Sequence, residues 1–106
     1  MRRVSLTDAV TGESTGRWID LDRADRWDDA TAWDGSNRIS VATGSQWAHE
    51  TLWRSAMGNW VLQRCVHSDG GLMRYHQIAE KNAYDWLIAN DHTDAVPASA
   101  LAEREI

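Results

Sequence analysis

The stretch Trp47-Ala48-His49-Glu50-Thr51-Leu52-Trp53-Arg54-Ser55-Ala56-Met57-Gly58-Asn59-Trp60-Val61-Leu62-Gln63-Arg64-Cys65-Val66-His67 decides the fold. Two runs rich in Trp, Val and Leu flank a glycine-bearing break, which is the pattern of a β-hairpin. Ser68-Asp69-Gly70-Gly71 is a second turn signal, and Leu72 to Ile78 is a third strand. The three strands make an antiparallel meander. With Met57-Gly58 as a two-residue loop, Ala56 opposes Asn59, Trp53 faces Leu62 and His49 faces Val66. With a loop at Ser68 to Gly71, His67 opposes Leu72, Val66 faces Met73 and Arg64 faces Tyr75. Both registers put Trp53, Trp60, Leu62, Val66, Met73 and Tyr75 on one face, as period-two alternation requires of a buried surface. Glu50, Leu52, Arg54, Val61, Gln63, Cys65, His67, Arg74 and His76 then share the other face, with Cys65 opposite Arg74 and Gln63 opposite His76. A one-residue slip in the first hairpin inverts this partition.

Downstream, Ala79 to Asn90 changes to helical period. Ala79, Ala83, Trp86, Leu87 and Asn90 fall on one face, and Trp86 and Leu87 are the expected cover for the sheet. Asn90 or Asp91 ends the helix. Upstream, Arg3 to Thr7 and Gly16 to Leu21 read as strands around a turn at Thr11-Gly12-Glu13-Ser14. Leu21, Ala24, Trp27 and Ala30 recur every three residues, which predicts a short acidic helix within Leu21 to Ala32. Trp33-Asp34-Gly35-Ser36-Asn37 is a turn, and Arg38 to Thr43 is a strand with Ile39 and Val41 on one face. The fold class expected is α+β: an antiparallel sheet of about five strands, a C-terminal meander, a covering C-terminal helix and a short acidic helix between strands. The domain expected is residues 1–92. Residues 93–106, which hold the sole proline, Pro97, form a tail that is either flexible or a short helix.

A chain of 106 residues suits one domain. Its 42% hydrophobic and 25% charged residues are the mix of a globular protein. The aromatic set is unusual in kind: seven Trp, two Tyr and no Phe. Either Trp replaces Phe as the packing aromatic of the core, or two or three of the indoles sit on a binding surface, where Trp concentrates binding energy. Net charge of −5 disfavours a broad nucleic-acid footprint. A single cysteine, Cys65, allows no intrachain disulfide and agrees with a reducing cytoplasm. No secretory signal is expected, because the charged start Met1-Arg2-Arg3 is followed by no apolar stretch, and no apolar run approaches the ~20 residues of a membrane span.

Catalytic and metal signatures are weak. His49-Glu50-Thr51-Leu52-Trp53 starts like a zinc metalloprotease helix, but Trp53 stands where the second histidine belongs, and the segment is a strand. Cys65, His67 and His76 share a face in the register above, and three mixed ligands can bind zinc, but a few scattered histidines and one cysteine are usually ordinary surface or core residues. Asp20, Asp22, Asp25, Asp28, Asp29 and Asp34 cluster, yet an EF-hand counted from Asp20 has Asp25 where glycine and Thr31 where glutamate are required. Thr43-Gly44-Ser45 is no nucleophile elbow. No cofactor, metal or catalytic residue is assigned, and an enzyme is not expected.

The segments Trp33-Asp34-Gly35-Ser36-Asn37-Arg38-Ile39-Ser40, Thr43-Gly44-Ser45-Gln46-Trp47 and Gly58-Asn59-Trp60-Val61-Leu62 resemble a group of small bacterial proteins. These share a WDG-x-N-x-IS, TGSQW and G-x-WVL layout and a Trp-containing C-terminal helix. The resemblance spans roughly residues 15–90 and implies no activity. The function expected is a small non-enzymatic protein-binding module of adaptor, inhibitor or regulator type. Its candidate binding residues are Trp33, Asp34, Gln46, Trp47, Glu50, Arg54, His67, Arg74 and His76. The alternative is local nucleic-acid or nucleotide binding on the Arg- and His-bearing sheet face. No membrane partner is expected, and an exposed strand edge leaves homo-oligomerisation open.

Overall fold

The computed structural model describes residues 1–66 and 72–106. The chain is α+β with antiparallel sheets throughout. A hairpin of β1 (Arg3–Thr7) and β2 (Ser14–Asp20) comes first, and one 3-10 turn at Leu21–Arg23 follows. Strand β3 (Asp25–Asp28) leads into a second small hairpin, β4 (Thr31–Trp33) and β5 (Arg38–Ser40). Then come β6 (Ala48–Arg54), β7 (Trp60–Val66), β8 (Leu72–Ile78), helix α1 (Glu80–Ala89) and helix α2 (Ala98–Ala102). The principal sheet has the order β3-β6-β7-β8, so β6 and β7 are central.

The expected meander and C-terminal helix are present. Helix α1 buries Ala83 and Leu87 and stops with Asp91 in the left-handed region (φ 65°). The His92 N–H donates to the Leu87 carbonyl at 2.8 Å, closing a Schellman-type cap. Pro97 precedes α2, and Val96 and Ala100 join the core beside Leu87.

Three expectations are corrected. Residues 21–32 hold no acidic helix: after one 3-10 turn, Asp25–Asp28 adds an edge strand to β6, with Trp27 opposite Leu52. Tertiary packing overrides the three-residue spacing, because Trp27 gains more by packing its ring at a tilt against Trp60 (ring centroids 5.5 Å) than a lone polar turn of helix gains by itself. The sheets contain eight strands among the described residues, not about five. The first hairpin is slipped by one residue. Ser55 and Asn59 close a three-residue loop, so Leu52 pairs with Leu62, Trp53 with Val61 and Arg54 with Trp60. In the second hairpin Val66 pairs with Leu72 and Arg64 with Arg74, again one residue from expectation; the connecting residues 67–71 lie outside those described.

The slip redistributes the faces. Trp60 and Leu62 change sides relative to Trp53 and Tyr75, and neither side is a solvated polar face. On one side, Leu52 and Trp60 pack against Ala83, Leu87, Val96 and Ala100 of the helical layer. On the other, Trp53 and Val61 pack against Leu6, Ile19 and Leu21 of the first hairpin and its exit. The molecule is therefore three layers deep: hairpin, sheet, helices.

Candidate functional site

Between β3 and β6 the chain leaves the principal sheet and builds a lobe from residues 29–48. Few of its side chains are buried, yet its backbone is tied down. Asp29, nearly buried itself, accepts at Oδ2 from the Ser40 hydroxyl (2.5 Å) and the Glu50 N–H (3.0 Å), with His49 Nδ1 at 3.3 Å. Fully buried Ser40 also accepts the Thr43 N–H (3.2 Å). The Thr43 hydroxyl donates to the Ala48 carbonyl (2.7 Å), and the Ser45 hydroxyl accepts the Trp47 N–H (3.0 Å). Buried Asn90 accepts the Ala30 N–H (3.0 Å) and donates to the Trp86 carbonyl (2.8 Å), which fastens the lobe to α1. Several of these bonds satisfy backbone N–H or C=O groups that the irregular backbone leaves without a ladder partner.

At the lobe's turn, Asp34 Oδ1 accepts the N–H groups of Ser36 (2.8 Å) and Asn37 (2.7 Å). These bonds favour the charged form and hold its carboxyl below the usual carboxylate range. Trp33, on β4, is 63% exposed, and Trp47, just before β6, is 58% exposed. Gln46 beside it is half-buried. Trp18 is the third exposed indole of the seven; the other four are buried or half-buried.

The sheet-face candidates are placed differently. Glu50, Arg54, Arg74 and His76 lie on the helix-covered side of β6 and β8, as their pairing partners Arg64, Trp60 and Leu62 require. Glu50 accepts the Trp86 indole N–H (3.2 Å). Burial raises its pKa against the opposing pull of that bond and of Arg64. Arg54 lies over the Trp60 ring (5.4 Å) and Arg74 is exposed. His67 lies outside the described residues.

Chemically, these groups are structural in their present bonds. Asp29, Ser40 and His49 have the residue types of a hydrolase triad. However, the Ser40 hydroxyl donates to the aspartate and is fully buried, so a substrate cannot reach it. Cys65 pairs with Met73 and His76 with Leu62, which puts Cys65 and His76 on opposite faces rather than on a shared one. Among the described residues no three His, Cys, Asp or Glu side chains come close enough to hold a metal ion. Among them, too, no helix is long and apolar enough to cross a membrane.

A groove of about 350 Å³ between β2 and the β6–β7 loop was not expected from the sequence. Arg17, Trp18 and Arg23 line it. The available signal was Gly16 inside a strand pattern, which marks a bulge that re-aims its neighbours. Compared with known proteins, the chain matches no family model, no curated protein and no solved structure.

Proposed function

We propose that this chain is a small non-enzymatic protein-binding module that presents Trp33 and Trp47 to a basic protein partner. One observation carries the proposal: two large indoles stand 63% and 58% exposed on a lobe whose backbone is fastened by Asp29 and by buried Ser40 and Asn90. A rigid aromatic surface binds with little further ordering cost, and Trp is the residue most enriched at the energetic centre of interfaces. Asp34, held ionised beside Trp33, and the net charge of −5 favour a partner of opposite sign. A nucleic-acid strand is the alternative partner. What favours it is that Arg64 and Arg74 are paired on neighbouring strands, two exposed arginines at adjoining positions of the sheet.

The test is a tagged pull-down from the source organism's lysate, with and without nuclease, followed by affinity measurements on the purified partner. Trp33→Ala and Trp47→Ala are expected to leave the melting temperature nearly unchanged while each weakens binding by roughly tenfold or more. A nuclease-resistant partner whose affinity survives the double substitution would overturn the proposal. A nuclease-sensitive complex that weakens steeply with salt would transfer the function to the Arg64–Arg74 face.

A further inference from the structure

The groove beside the first hairpin is made by an irregularity in the sequence. Strand β1 pairs with β2 at Ser5–Trp18 and again at Thr7–Ser14, so Leu6 alone opposes three residues, 15–17. Gly16 takes φ +77°, and a Cβ there would meet nothing within 4 Å. The bulge is therefore a requirement of backbone conformation and not of crowding. The Thr15 hydroxyl donates to the Leu6 carbonyl (3.1 Å) and accepts the Arg17 N–H (3.3 Å), which stabilises the bulge. Its effect is to turn Arg17 and Trp18 toward the groove that opens over the buried residues Leu6, Ile19 and Val61.

The polar groups around that apolar floor are unbalanced in charge. Arg17 is held by a neutral partner, its Nη1 donating to Gln77 Oε1 at 2.6 Å. Among the described residues neither Arg17 nor Arg23 lies within ion-pair distance of a carboxylate. Among the described residues the one carboxylate lining the groove, Asp20, accepts the N–H groups of Arg2 and Asp22 (both 3.1 Å) and is occupied by those backbone donors. Trp18 is braced by Arg3, whose guanidinium sits 4.4 Å from the ring centroid. An apolar pocket of this size with a few convergent polar groups is the usual form of a small-ligand site, and guanidinium groups select carboxylates.

We propose that this groove binds a small amphipathic monocarboxylate, its apolar body on Leu6, Ile19 and Val61 and its carboxylate on Arg17 and Arg23. The site is separate from the Trp33 and Trp47 lobe and does not depend on it. Octanoate is the probe and 1-octanol the uncharged control, each titrated by calorimetry and by methyl and amide NMR shifts. Octanoate is expected to bind one-to-one, to shift Leu6, Ile19 and Val61, and to bind more tightly than octanol. Combined Arg17→Gln and Arg23→Gln, at exposed positions, is expected to weaken octanoate by roughly tenfold or more and leave octanol unchanged. Three results would overturn the proposal: no octanoate binding at millimolar concentration, equal binding of acid and alcohol, or shifts confined to the helical face.

Discussion

At the residue scale, the seven tryptophans do different jobs. Trp53 and Trp60 are the two most comparable: both are 4% exposed, they face opposite sides of the central strands, and each lies under an arginine at 5.3 to 5.4 Å. They differ in the fate of the indole N–H. Trp53 donates to Gln63 Oε1 at 2.8 Å, whereas Trp60 Nε1 is buried with no partner among the described residues. Replacement by Phe removes the same volume from each site, so the cavity costs nearly cancel. Trp53→Phe should therefore destabilise by about 1–3 kcal/mol more than Trp60→Phe, the difference between losing a made hydrogen bond and losing an unmade one. Denaturant midpoints of the two variants measure this, and equal values would contradict the assigned bonding. Nothing in the composition sorts these indoles. Their number was legible; which of them meet water depends on contacts far away in sequence.

At the element scale, the β6–β7 loop shows why alternation alone does not set the register. A two-residue loop at Met57-Gly58 of the common primed types requires positive φ at its first residue. Met57 does not adopt that conformation; Gly58 does, at φ +87°. Ser55 and Asn59 instead close a three-residue loop, with the Gly58 N–H donating to the Ser55 carbonyl (2.8 Å), the arrangement in which glycine belongs in third place. An added Cβ at Gly58 would find only the flexible end of Arg54, at 3.7 Å. The expected cost of Gly58→Ala is thus conformational, about 1–2 kcal/mol, and Gly58→Asn should recover part of it because Asn tolerates the left-handed region. Chemical denaturation with an unchanged slope checks both; an Ala variant as stable as the parent would refute the loop assignment. The cue was present in the residue type of Met57. By contrast, α1 was readable because its signals, an apolar face and a residue able to adopt positive φ at Asp91, are all local.

At the scale of the whole molecule, β6 and β7 are covered on both sides, by the first hairpin and by the helices. Their middles carry adjacent apolar residues, Leu52-Trp53 and Trp60-Val61, a pattern of two-sided burial rather than of simple alternation. Amide exchange should follow this layering. Leu52, Trp53, Val61 and Leu62 are expected to exchange only through global unfolding, while amides of the exposed β4–β5 hairpin exchange through smaller openings. Hydrogen exchange followed by NMR tests it; equal protection in hairpin and central strands would mean that the lobe is part of the cooperative core.

The sequence by itself determined an α+β chain, the meander, the opening hairpin, the position of most turns and the C-terminal helix. Each rests on short-range physics: alternation, helical period, and glycine or asparagine where the backbone must turn. Tertiary structure decided the register of β6 on β7, the conversion of residues 25–28 into an edge strand, and the burial of both sheet faces. It also decided the exposure of Trp33 and Trp47 and the groove behind the Gly16 bulge. Those outcomes depend on which distant surfaces meet, and a one-residue shift moves every side chain of a strand to the opposite face.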